Sequence, residues 1–116
     1  MDLCSYILWK NGLQLGTGQR IYVYYTFTED SNKWVELELV PHRVSSNVMG
    51  ISWIATEVDN LSEPWGSTTT RTNLGSGTIN KNLTFDDLAF DMHAMFNYVK
   101  SNITLTNHTL DQIVKY

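Results

Sequence analysis

The chain has 116 residues, a formal net charge of −4, 42% apolar residues and 17% charged ones. That length and balance predict a single domain over 1–116 with a buried core, and they exclude global disorder. The eight basic residues are scattered singly, so no stripe for a phosphate backbone exists and no nucleic-acid partner is expected.

Thirteen threonines against three alanines favour strands over helices. The first segment, Met1 to Gly12, has an acid at Asp2 and an apolar run broken by Lys10 and Asn11. It reads as neither a signal peptide nor a membrane span, so a cytoplasmic setting and no membrane partner are expected. Residues 3–9 read as a first strand that ends in the turn signal Lys10-Asn11-Gly12. Cys4 reads as a small buried residue, and a lone cysteine rules out an internal disulfide.

After a glycine-bearing loop at 13–18, residues 19–28 alternate. Ile21, Val23, Tyr25 and Phe27 share one face, and Tyr22, Tyr24, Thr26 and Thr28 the other. Residues 33–43 repeat the pattern, with Val35, Leu37 and Leu39 inward and Trp34, Glu36 and Glu38 outward. Residues 48–58 place Met49, Ile51, Trp53 and Ala55 inward. One register serves all three strands: Phe27 opposite Val35, Tyr25 opposite Leu37, Val23 opposite Leu39, then Leu39 opposite Ile51 and Leu37 opposite Trp53. A slip of one residue would send each of these side chains to the wrong face.

Residues 59–82 are poor in apolar side chains. They read as one or two edge strands, STTTRT and GTIN, turning at Asn73-Leu74-Gly75. Residues 84–100 read as a helix capped by Thr84, with Asp86 and Asp87 at its positive end. Phe85, Leu88, Ala89, Met92, Met95, Phe96 and Val99 fall on one stripe at helical period. Beyond it, Thr109 and Gln112 make a capping-box pattern for a short last helix, with an extended 103–106 as the alternative. The expected architecture is therefore α+β: an antiparallel β-meander of four to six strands, packed on one face by a C-terminal amphipathic helix at about 84–100, then a short last helix or strand.

The outward sheet face is the first candidate site. Tyr22, Tyr24, Trp34, Glu36, Glu38 and Ser52 combine aromatic rings with carboxylates, the chemistry of a surface that stacks on a ligand and takes its polar contacts. Glu36 and Glu38 stand about 7 Å apart by strand rise, a spacing that overlaps that of paired acid/base carboxylates. The plainer reading is a solvated face, with Tyr and Thr there for strand propensity and Glu for solvation. The second candidate is the back of the helix, where Phe90 projects away from the stripe among Asp87, Asp91 and Tyr98. Left uncovered, that is an aromatic centre with an acidic rim, the anatomy of a protein–protein patch. Covered by residues 103–116, it is packing.

His42, His93 and His108 have no metal-ligand spacing, so no metal site is expected. Gly12, Gly16 and Gly18, like Gly75 and Gly77, match neither a dinucleotide fingerprint nor a P-loop, so no cofactor is expected. No G-x-S-x-G elbow occurs, and no catalytic residue is assigned. These features point to a non-enzymatic protein-binding or assembly module, of the inhibitor or immunity type or a viral structural or accessory protein. Its partner would be another protein or a second copy in a homodimer. The alternative is a small-ligand or carbohydrate binder on the aromatic sheet face. The third reading is a small hydrolase using Glu36, Glu38 or His93.

Overall fold

The computed structural model describes residues 1–13, 20–26, 33–63, 66–105 and 114–115. The fold is α+β, with an antiparallel sheet and two helices. Helix α1 spans Leu3–Lys10 and helix α2 spans Met92–Asn102. The strands are β1 (Ile21–Thr26), β2 (Lys33–Ser45), β3 (Val48–Glu63), β4 (Gly66–Asn82) and β5 (Val114–Lys115), in the order β4-β3-β2-β1-β5. Among the described residues no helix is long and apolar enough to cross a membrane.

Residues 3–9 are helical, which corrects the expected first strand. Asp2 caps the helix by accepting from the Ser5 amide at 2.8 Å. Cys4, Ile7 and Leu8 then fall at helical spacing and are buried in the core. The Asn11-Gly12 pair ends this helix instead of turning a hairpin. Gly12 has φ 74, its amide bonds the Trp9 carbonyl, and the Leu13 amide bonds that of Leu8, each at 2.9 Å. That pattern is the Schellman stop, which favours glycine at the left-handed position. The helix is tied to the turn after β2, where the Cys4 amide bonds the Ser46 carbonyl at 2.9 Å.

In β2 burial alternates, with Val35, Leu37 and Leu39 fully buried. The pairing register lies two residues from the expected one. Tyr25 faces Val35, Val23 faces Leu37 and Ile21 faces Leu39; Leu39 then faces Trp53 and Leu37 faces Ala55. A shift of two keeps every side chain on its face, whereas a shift of one would not. Phe27 and the loop at 14–19 lie outside the described residues, as do Thr109 and Gln112. Val114–Lys115, where a short last helix or strand was expected, is a strand paired to β1.

Residues 59–82 hold the end of β3 and the whole of β4. Of the one or two edge strands expected, there is one: a 17-residue strand runs through Asn73-Leu74-Gly75 without turning, and Leu74 is an extra residue in it. Thr56 faces Asn73 while Ala55 faces Gly75, so the register shifts there. Beside that bulge the indole of Trp53 lies against Gly75 and Gly77. A Cβ built on Gly77 would stand 3.2 Å from Trp53 Nε1, so the glycine leaves room for the ring.

The expected helix over 84–100 is broken. Phe85–Asp87 is a single 3-10 turn, and α2 starts afresh at Met92 with Asp91 as its cap. Met95, Phe96 and Val99 join the cluster that holds Val35, Leu37, Leu39 and Ile51. Phe85, expected in the core, is 81% exposed, and Leu88 and Met92 are also exposed.

Candidate functional site

Trp34, Glu36 and Glu38 point away from the core cluster, on the face opposite Val35, Leu37 and Leu39. Tyr24 is the Cα partner of Glu36, and Tyr22 of Glu38; the tyrosine side chains lie outside the described residues. Neither carboxylate is free. Arg71 Nη1 on β4 donates to Glu36 Oε2 at 2.8 Å, and Arg20 Nε stands 3.0 Å from Glu38 Oε1. Ser52, on β3, shares a hydroxyl contact of 3.0 Å with Thr78. Val58, the Cα partner of Trp34, is buried, and the indole Nε1–H of Trp34 is buried without an acceptor among the described residues. Elsewhere on this face the His42 ring lies over Gly50, where a Cβ would stand 2.7 Å from His42 Cε1.

The expected patch on the helix back is not open. Phe90 is 8% exposed. It meets Tyr98 edge to face, with ring centroids 6.4 Å apart. The Lys81 ammonium sits 5.3 Å from the Phe90 centroid and 5.0 Å from that of Tyr98, and 3.5 Å from Asp87 Oδ1. Tyr98 Oη donates to the Asn80 carbonyl at 3.1 Å. Asp87 accepts from the Thr84 amide and Asp91 from the Ala94 amide, each at 2.8 Å. Three of the four predicted residues, Asp87, Phe90 and Tyr98, come together around a lysine of their own chain, while Asp91 caps α2. The covering of Phe90 has a simple physical source: the break before Met92 turns it inward, where a continuous helix would turn it out.

His93 is exposed on α2 and His108 lies outside the described residues. The described residues hold no group of three His, Cys, Asp or Glu side chains placed to share a metal ion. Cys4 is fully buried, and burial pushes its thiol above the ordinary value, with the Asp2 carboxylate adding to the shift. That is the reverse of what an attacking thiolate needs.

Sequence reasoning placed edge strands at STTTRT and GTIN and missed that they form one continuous strand. Among the described strands β4 has a neighbour, β3, on one side only. Residues 69–73 are all exposed, and from Gly66 to Asn82 there is no Asp or Glu. Its two cations, Arg71 and Lys81, are drawn off the edge to Glu36 and to the Asp87–Phe90–Tyr98 cluster. The signal in the sequence was the run of 17 residues free of acid and of proline.

No family model matches this chain, and no curated protein or solved structure matches it either.

Proposed function

We propose that this chain is a non-enzymatic protein-binding or assembly module that accepts an extended partner strand along β4. In this reading the cytoplasmic domain is a meander of four to six strands, covered on one face by the C-terminal helix and open at one edge. The observation that carries it is the 17-residue edge strand that has, among the described strands, a neighbour on one side. An open edge offers a row of backbone donors and acceptors that only another extended backbone matches. Edge strands are usually guarded by a charge, most often lysine. Here both cations of the strand are engaged by acids of their own chain, which leaves the edge unguarded. The bulge at Leu74 divides the edge into two straight runs, Gly66–Asn73 and Gly75–Asn82, and one run of that length seats one partner strand.

Proline at Thr69 and at Ser76, whose amides alternate with those bonded to β3, would remove an edge amide in each run. The test is the set of partners, a second copy included, captured by the native chain and by each proline variant after its fold is checked by circular dichroism. Loss of partners in one variant supports strand addition. The same set in both variants, or an empty set for the native chain, overturns it.

A second reading, small-ligand or carbohydrate binding on the outer sheet face, draws on one observation. The buried Trp34 Nε1–H lacks an acceptor and stands on the face that carries Glu36 and Glu38, and an unmatched buried donor calls for a partner. Its test is a change in tryptophan emission against a glycan panel that disappears in Trp34→Phe. The hydrolytic reading has less support. Glu36 and Glu38 are on the face away from the core and each is ion-paired, while α2, which carries His93, contributes to the core on the other face.

A further inference from the structure

We propose that residues 84–102 are a two-state segment, able to exchange the observed turn and helix for one continuous helix from Phe85 to Asn102. The apolar stripe of Phe85, Leu88, Ala89, Met92, Met95, Phe96 and Val99 has the period of an unbroken helix. In the observed form only its last three members are buried, while Phe85, Leu88 and Met92 are exposed. Phe90 is the reverse case. It is off the stripe, and the break buries it against Tyr98 and Lys81. The two forms therefore bury different side chains from one sequence, which is the condition for a bistable element.

The hydrogen bonds around the break show what holds it. A continuous helix would need the Leu88 carbonyl for the Met92 amide and the Phe90 carbonyl for the Ala94 amide. The Leu88 carbonyl instead accepts from Lys10 Nζ at 3.0 Å, and the Phe90 carbonyl from Asn11 Nδ2 at 2.9 Å. The Ala94 amide is taken by Asp91 Oδ1 at 2.8 Å. Each contact occupies a group that helix extension would require, and two of the three come from the end of α1. Lys10, Asn11 and Asp91 form a latch on the break, and Phe90 is the bolt.

Removing the bolt should tip the segment. In Phe90→Ala, the backbone carbon shifts of Asp91, extended in the observed form, should become helical, and the amides from Met92 to Ala94 should exchange more slowly. A folded Phe90→Ala protein whose Asp91 keeps extended shifts overturns the proposal. Lys10→Met combined with Asp91→Ala leaves the core intact and should move the same shifts in the same direction. If neither variant folds, relaxation dispersion on the native chain decides. Microsecond-to-millisecond exchange of Asp91 between extended and helical shifts supports the switch, and a flat profile there overturns it.

Discussion

Arg71 and Glu36 are joined across an intervening strand: the guanidinium on β4 reaches over β3 to the carboxylate on β2, with Nη1 2.8 Å from Oε2. The two ends differ in exposure. The Arg71 side chain is 58% exposed and the Glu36 side chain 12%. Removing the arginine leaves a largely covered carboxylate without its cation, whereas removing the carboxylate leaves a cation that can turn to water. Arg71→Ala should therefore cost about 1 kcal/mol and Glu36→Gln less than about 0.5 kcal/mol, within the range of partly exposed pairs. Urea unfolding of the two variants measures both, and equal losses would remove the asymmetry.

Lys81 is the hub between β4, the 3-10 turn and α2. Its side chain is 19% exposed, near two aromatic rings and Asp87. Lys81→Ala should lower stability by about 1–3 kcal/mol, from the lost cation–π contacts and ion pair. Lys81→Arg should recover part of it, since a guanidinium also stacks on rings. A thermal midpoint for Lys81→Ala equal to that of the native chain would show that the cluster contributes nothing.

Asp2 links acidity to the anchoring of α1. Hydrogen bonds from Arg43 and from the Ser5 amide and side chain hold its carboxyl down at about 2, against 3.8 for the free group. A depressed folded-state value means that the unfolded chain takes up the proton first. The stabilisation is complete above 3.8, falls as the pH drops toward about 2, and is gone below it. Asp2→Asn should flatten that part of the acid unfolding curve while leaving the neutral-pH slope unchanged. An acid limb of the same steepness in the variant would contradict the linkage.

Gly50 is set by crowding. A Cβ there would come within 2.7 Å of His42 Cε1 and 2.9 Å of Val44 Cγ2. Gly50→Ala should evict the imidazole and cost about 1–3 kcal/mol, the usual scale of overpacking. The His42→Ala background should absorb most of that cost. Additive losses in the double variant would mean that the ring is not what the methyl group meets.

Much of the sheet was legible before the structure was known. The inward parity of Val35, Leu37 and Leu39 follows from strict alternation, and all three are buried. The two-residue offset in register was not legible, because parity tolerates it and the pairing partners look alike in composition. Residues 3–9 were misread because a short apolar run fits a buried strand and a buried helix equally. The deciding feature was the cap at Asp2, together with the use of Asn11-Gly12 as a helix stop. In β4, STTTRT and GTIN read as edge strands, and only their continuity through Leu74 was illegible: the side chains there are mostly polar, and what joins them is the ladder to β3. At the candidate site, the outward placement of Trp34, Glu36 and Glu38 could be read from parity. The arginines that neutralise the two carboxylates arrive from residues 20 and 71, distances at which spacing carries no information.

The extra residue at Leu74 has a consequence for pairing between copies. Above it Arg71 shares the face of Glu36, and below it Gly77 lies opposite Trp53 on the core side, so odd numbers change sides partway along the strand. An identical molecule laid against this rim would match the alternation of one stretch and mismatch the other. Excising that single leucine would restore one even alternation from end to end, and with it a straight rim along which the β4 of a second copy could pair over its whole length.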